Sequence, residues 1–223
     1  MELPYAHLNL RRNPFAFPSL DEVERLALVD VERHVSKILA GDYVVQFIGE
    51  QGRGKTTHMR ALHARVQRAL EERANVEGGA APVPYLYFPE EGAHPEIPWS
   101  ARVLFLDETQ RLSWWKRRRL WRSGKGLAIA THDDHSRELE RAGIAHEVVW
   151  VEGLSLEKLE AIVQRRFEWA RRGEGDVPWL EREDLEALIE RFGDDLRAIE
   201  LVLYDAVQQM SAPARIPIRI QTS

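Results

Sequence analysis

The sequence contains no cysteine, which excludes disulfides and thiolate metal sites and fits a reducing compartment. It has no run of about 18 apolar residues, the length a membrane-spanning helix needs. The first residues, Met1-Glu2-Leu3-Pro4-Tyr5, lack the basic region followed by an apolar stretch that marks an export signal. The expectation is a cytoplasmic protein with no membrane partner. Nor is there a surplus of positive charge: 31 Lys+Arg against 36 Asp+Glu leave a net charge of -5. That argues against coating nucleic acid with the whole surface and leaves room only for a local basic patch. Repeats and low-complexity tracts are missing too. What is present is an ordinary globular composition, 44% hydrophobic and 30% charged over 223 residues, enough for one α/β core with a small appendage.

Residues 1–20, with Asn13-Pro14-Phe15 and Pro18, read as an extended leading segment. Asp21 to Leu39 carries helical spacing (Val23, Leu26, Val29, Val31, Val35, Ile38, Leu39), and Gly41-Asp42 ends it. Tyr43-Val44-Val45-Gln46-Phe47-Ile48 is a β-rich apolar run suited to a buried parallel strand. Lys55 to about Ala74 is again helical in period. Further short strands are predicted at 84–88, 103–107, 126–131 and 147–151, giving five strands for one mainly parallel sheet flanked by helices. From Ser155 the pattern becomes all helical: one helix from Ser155, a second from about Leu180 to Phe192, and a third after Gly193-Asp194. The predicted division is an α/β domain over 21–152, a small helical lid over 153–210 and an extended tail over 211–223.

The loop between the first strand and its helix reads Gly49-Glu50-Gln51-Gly52-Arg53-Gly54-Lys55-Thr56, followed by Thr57. Glycines at 49, 52 and 54 let the backbone turn tightly, so that successive N–H groups point at one anion at a helix N-terminus. Lys55 is placed to neutralise the β- and γ-phosphates of ATP, and the Thr56 hydroxyl to ligate Mg2+. The pattern resembles the phosphate loop of P-loop nucleotidases. A second element resembles their hydrolytic strand: four apolar residues ending in Asp107-Glu108. Asp107 is the expected Mg2+ ligand, and Glu108 the base that polarises the attacking water.

With both motifs in place, the order of the remaining elements resembles an AAA+ ATPase, in the compact branch with DNA-replication initiators, transposition ATPases and ExeA-type proteins. The resemblance implies a polar sensor at Thr131, at the end of the fourth strand. It implies a second sensor at Arg197 within Gly193-Asp194-Asp195-Leu196-Arg197, an arginine that would make lid closure depend on the γ-phosphate. It also implies a homo-oligomer in which a neighbour supplies an arginine finger from the region of Arg137 or Arg141, and an adenine pocket lined by Asn13-Pro14-Phe15, a segment that reads equally as a core anchor. The activity implied is hydrolysis of Mg-ATP to drive a partner, with two alternatives: a nucleotide-gated adaptor with little turnover, and a P-loop kinase of a small molecule.

Two features depart from that pattern. Between the second and third strands only Pro89 to Ala101 is available, with three prolines and a glycine, so a helix does not fit and the direction of the second strand is open. Directly after the hydrolytic strand comes Trp114-Trp115-Lys116-Arg117-Arg118-Arg119-Leu120-Trp121-Arg122. It reads as an amphipathic helix with Trp114, Trp121 and also Trp115 as candidates for the core, as a protein interface, or as a nucleic-acid surface. His132 and His135 with Asp133 and Asp134 are expected in a solvated loop, since no second ligand cluster accompanies them.

Overall fold

A parallel strand covered on both faces has to be largely apolar, and the three strands at the centre of this sheet meet that requirement. Gln46 is a buried polar exception inside one of them, and Asp107 and Thr131 stand at the ends of the other two. In the computed structural model, which describes residues 4–17, 22, 26, 29–74 and 82–218, β1 (Tyr43–Ile48), β3 (Val103–Asp107) and β4 (Gly126–Thr131) are buried throughout. The flanking strands β2 (Tyr85–Tyr87) and β5 (Ala145–Trp150) are only partly covered, as edges are. All five pair in parallel, in the order β2-β3-β4-β1-β5. The second strand therefore joins the sheet in the same sense as the rest. Its crossover, residues 88–102, contains no helix, and its prolines at 89, 95 and 98 explain why.

Alternation along the strands divides the core in two. Val45, Phe47 and Phe105 face one way, against helices α1 (Glu32–Ala40) and α2 (Lys55–Ala74). Val44, Leu104, Leu106, Leu127 and Ile129 face the other, against α3 (Trp114–Trp121) and α4 (Ser136–Ala142). Together, residues 20–152 form one compact unit, a helix–sheet–helix sandwich. The predicted helix from Asp21 to Leu39 needs correction. Residues 29–31 are not helical and α1 starts at Glu32. Two β-branched valines around Asp30 are poor helix formers, which accounts for the break. Residues 18–21, 23–25, 27 and 28 lie outside the described residues.

The second unit joins residues 1–19 to 153–223. Its helices are α5 (Leu156–Ala170), α6 (Arg182–Phe192) and α7 (Leu196–Gln208). Ser155 caps α5 by accepting from the Lys158 N–H, Asp195 caps α7 by accepting from the Ala198 N–H, and Glu181 with Asp184 forms a capping box on α6. The leading segment is part of this unit's core. Leu8, Leu10 and Phe15 pack among Leu159, Phe167, Leu188 and Leu203, and the Phe15 and Phe167 rings meet edge to face at 5.6 Å. Asn13 Nδ2 donates to the Tyr204 carbonyl at 3.0 Å, so Asn13-Pro14-Phe15 is an internal anchor of the helical unit. The described part of the tail packs here as well: Ile216 is buried and Arg215 forks onto Asp184 at 2.9 and 3.0 Å. Residues 219–223 lie outside the described residues.

One position fixes how closely α1 meets the sheet. A Cβ on Gly126 would stand 1.8 Å from the Ile38 carbonyl oxygen at the end of α1. Gly126→Ala is therefore expected to lower the stability of the α/β unit by about 1–3 kcal/mol, read as a lower urea midpoint. An unchanged midpoint would contradict this packing.

Candidate functional site

Strands β1, β3 and β4 all end on the same edge of the sheet, with Ile48 opposite Thr131 and Asp107 opposite Ala130 in register. Parallel sheets place their ligands outside this carboxyl edge. The loop that leaves β1 turns on Gly52 (φ +84°) and Gly54 (φ +97°), both in the left-handed region open to glycine. It delivers the chain straight into α2, where the N–H groups of Thr57 and His58 donate to the Gly54 carbonyl at 3.0 and 3.1 Å. Arg53 and Glu50 pair across the loop at 2.6 Å, while Gln51 and Gly52 are exposed.

Lys55, the first residue of α2, is buried, and its ammonium donates to the carbonyls of Gly49 (2.8 Å) and Glu50 (2.9 Å). Burial lowers its pKa, with the Glu108 and Asp107 carboxylates pulling the other way. Neutral carbonyls are modest partners for a buried ammonium. An anion in the loop would make the stronger, charge-assisted bond.

Next to it, the Thr56 hydroxyl donates to Asp107 Oδ2 at 3.2 Å, and the Tyr85 hydroxyl donates to the same oxygen at 2.9 Å. Asp107 is only 4% exposed. Burial, and then the neighbouring Asp107 charge, raise the Tyr85 pKa and keep that phenol a donor. The Thr56 and Asp107 oxygens are hard donors of the kind Mg2+ takes, and they already meet.

Glu108 follows in a left-handed backbone conformation, φ +63°, uncommon for a side chain of its size. Its Oε2 accepts from Gln110 Nε2 at 2.7 Å and lies 3.3 Å from Arg111 Nη2. Arg111 is held in turn by the Phe88 carbonyl at 2.8 Å and the Tyr87 hydroxyl at 3.2 Å. His132 Nε2 stands 3.6 Å from Glu108 Oε2 and 3.4 Å from Lys55 Nζ, so it links the two.

Thr131, fully buried at the end of β4, spends its hydroxyl locally: it donates to the Asp133 carbonyl, accepts from the Asp133 N–H, both at 3.0 Å, and lies 3.3 Å from His135 Nε2. The predicted solvated loop holds for His132, Asp133 and Asp134, which are exposed, but not for His135, which is buried with a pKa lowered mainly by burial. The Gln46 side chain inside the core fixes it, accepting from the His135 N–H at 3.0 Å. No group of three or more His, Cys, Asp or Glu that could hold a metal occurs among the described residues. A cavity of about 290 Å³ beside the loop is lined by Gly49, Glu50, Arg53, His132, Trp150 and Glu152, among others.

The loop, Lys55, Thr56, Asp107, Glu108 and the β4 turn thus converge within one unit. Arg197 lies in the helical unit, exposed on the first turn of α7, and Arg137 and Arg141 are exposed on α4. Tyr85, Gln110, Arg111 and His132 join the site unannounced by any motif. His132 alone carried a signal, as a titratable residue one position past Thr131. Among the described residues no helix is long and apolar enough to cross a membrane.

No protein-family model matches the chain, and no curated protein matches it in sequence. Solved structures do. The ORC1 protein of Aeropyrum pernix, solved in complex with DNA, superposes with a TM-score of 0.53 and 15% identity, over 95% of this chain and 66% of that one. The ORC2 protein of the same organism, solved as ADPNP-ADP complexes, gives 0.50 and 17%, over 88% and 65%. The chain spans just under two thirds of the length of either. At such identity the likeness is one of fold, and it agrees with the observed architecture: this chain has the α/β fold of those two ORC proteins, a five-stranded parallel sheet flanked by helices.

Proposed function

We propose that the chain is an AAA+-type ATPase that hydrolyses Mg-ATP and uses the helical unit as a lid to rearrange a partner. The observation that carries this reading is the convergence of Lys55, the Thr56–Asp107 pair and Glu108 at one strand edge. The residues of the loop, Gly49 to Thr57, hold the phosphates through backbone N–H groups, and the Lys55 ammonium moves from two carbonyls to the phosphate oxygens. Thr56 and Asp107 would hold Mg2+, which when bound neutralises charge on the β- and γ-phosphates. Glu108 accepts the proton of the attacking water. Thr131 fixes the turn that carries His132 beside Glu108 and Lys55. Arg197 acts as the lid's sensor of the γ-phosphate, and Arg137 or Arg141 of a neighbouring copy completes the site in a homo-oligomer.

A second reading, a nucleotide-gated switch with little turnover, draws on one observation. Glu108 Oε2 is already engaged by Gln110 and Arg111, so it has to leave them before it can face an attacking water.

Lys55→Ala is expected to abolish binding of a fluorescent ATP analogue, a loss of at least about a hundredfold given a charge-assisted contact in a partly buried site. Unchanged affinity would refute the assignment of the loop. Glu108→Gln should bind the analogue normally yet release phosphate roughly 10²–10⁴ times more slowly, measured at steady state; wild-type turnover already at the level of the variant would favour the switch. Arg197→Ala should reduce the preference for ATP over ADP by about tenfold in competition binding, the weight of one charge-assisted contact. If the preference does not change, Arg197 does not read the γ-phosphate.

A further inference from the structure

The run Trp114 to Arg122 is divided by the helical period into two faces with different partners. Arg117, Leu120 and Trp121 turn inward. Leu120 and Trp121 are buried in the core beneath the sheet, and Trp121 Nε1 donates to Glu138 Oε2 at 3.0 Å. Arg117 pairs with the same Glu138 at 2.9 Å and donates to the Leu112 carbonyl at 2.6 Å. These contacts root α3 on α4. Trp115, Arg118, Arg119 and Arg122 fall at i, i+3, i+4 and i+7, which places them on one outward stripe. Trp115 is 75% exposed and all three arginines are exposed.

The outward cations are uncompensated. Lys116, Arg118, Arg119 and Arg122 form no ion pair among the described residues, in contrast to Arg117, and α3 carries no acidic residue at all. In a chain of net charge -5 this concentrates positive charge on one short helix. The guanidiniums lie against indoles: Arg118 is 5.3 Å from the Trp114 ring and Arg119 is 3.9 Å from the Trp99 ring. Trp114 and Trp115 meet at 4.6 Å between ring centroids, which holds the more exposed indole in place.

We propose that this stripe of α3 is a docking surface for single-stranded nucleic acid, with Arg118, Arg119 and Arg122 on the phosphodiester backbone and Trp115 stacked on a base. Charge complementarity selects a polyanion. The exposed, propped indole selects one whose bases are free to stack. Tryptophan and arginine serve protein interfaces as well, but this stripe holds three cations with no acidic residue and no aliphatic side chain, so it offers no apolar interface core and a polyanion fits it better. The surface does not depend on ATP hydrolysis, so its test is separate from that of the proposed activity.

The test is fluorescence anisotropy of a labelled 20-nucleotide oligodeoxythymidylate, titrated with the whole chain across NaCl concentrations. Replacing all three arginines by glutamine (R118Q, R119Q and R122Q) should weaken binding at low salt by at least about thirtyfold. It should also flatten the slope of log K against log[salt] by about 2, the value for three lost single-strand contacts. Trp115→Ala should weaken binding by about tenfold with no change in slope. Arg172→Gln, an exposed arginine of the helical unit, should change neither. Unfolding midpoints equal to wild type identify each loss as local, as expected for exposed side chains. Unchanged affinity and slope in the triple variant overturn the proposal. So does a duplex that competes as well as the single strand, and so does tighter binding of a polyglutamate peptide, which would make the surface an acidic-protein site.

Discussion

One carboxylate oxygen holds the candidate site in register. Asp107 Oδ2 accepts from Thr56 at the head of α2 and from Tyr85 on the neighbouring strand β2, so a single atom ties α2 and two strands together. Burying an ionised carboxylate is costly unless it is bonded, and hydrogen bonds to a charged acceptor contribute about 1.5–3 kcal/mol each. The two hydroxyls supply that compensation. As a result two oxygens of the kind hard cations take, those of Thr56 and Asp107, lie 3.2 Å apart.

This arrangement explains which parts of the protein were legible in its sequence. The central strands could be read because burial on both faces demands continuous apolar runs, and the loop because only glycine tolerates its backbone. Tyr85 could not, since its partner is 22 residues away and nothing local marks a strand tyrosine as a donor. Arg111 and Gln110 were equally silent. They act through the left-handed turn at Glu108, a conformation that no residue pattern there foretells. The direction of β2 was open because prolines removed the usual crossover helix. The structure shows that residues 88–102 make the crossover without a helix, through bends at 90–92 and a turn at 99–100, with Phe88 buried and Arg111 bonded to its carbonyl.

The run of cations after β3 shows how a helical period assigns different tasks to chemically similar neighbours. Arg117 is a structural residue: it satisfies the Leu112 carbonyl and neutralises Glu138, whose pKa it helps to hold down against the opposing effect of burial. Arg118 and Arg119, one and two positions on, face solvent. Composition alone treats the three alike. The same segment lies a few residues beyond Glu108, and the Arg117 guanidinium also reaches the Gln110 carbonyl at 3.5 Å. The outer stripe and the turn that holds the glutamate are therefore joined by side-chain bonds as well as by the chain itself.

The leading residues belong to the core of the helical unit, which has a consequence for the order in which the protein is made. Asn9 bonds to Gly173 and Glu174, partners 164 and 165 residues later, and Leu10 bridges Arg171. A ribosome produces Leu8, Leu10 and Phe15 long before the helices that cover them, and the α/β unit is synthesised in between. Those three hydrophobic residues have to wait while a complete neighbouring unit emerges, and closing so long a loop costs entropy that only the finished helical core repays. The sandwich is thus the natural first structure on the growing chain, and the helical unit the last to lock.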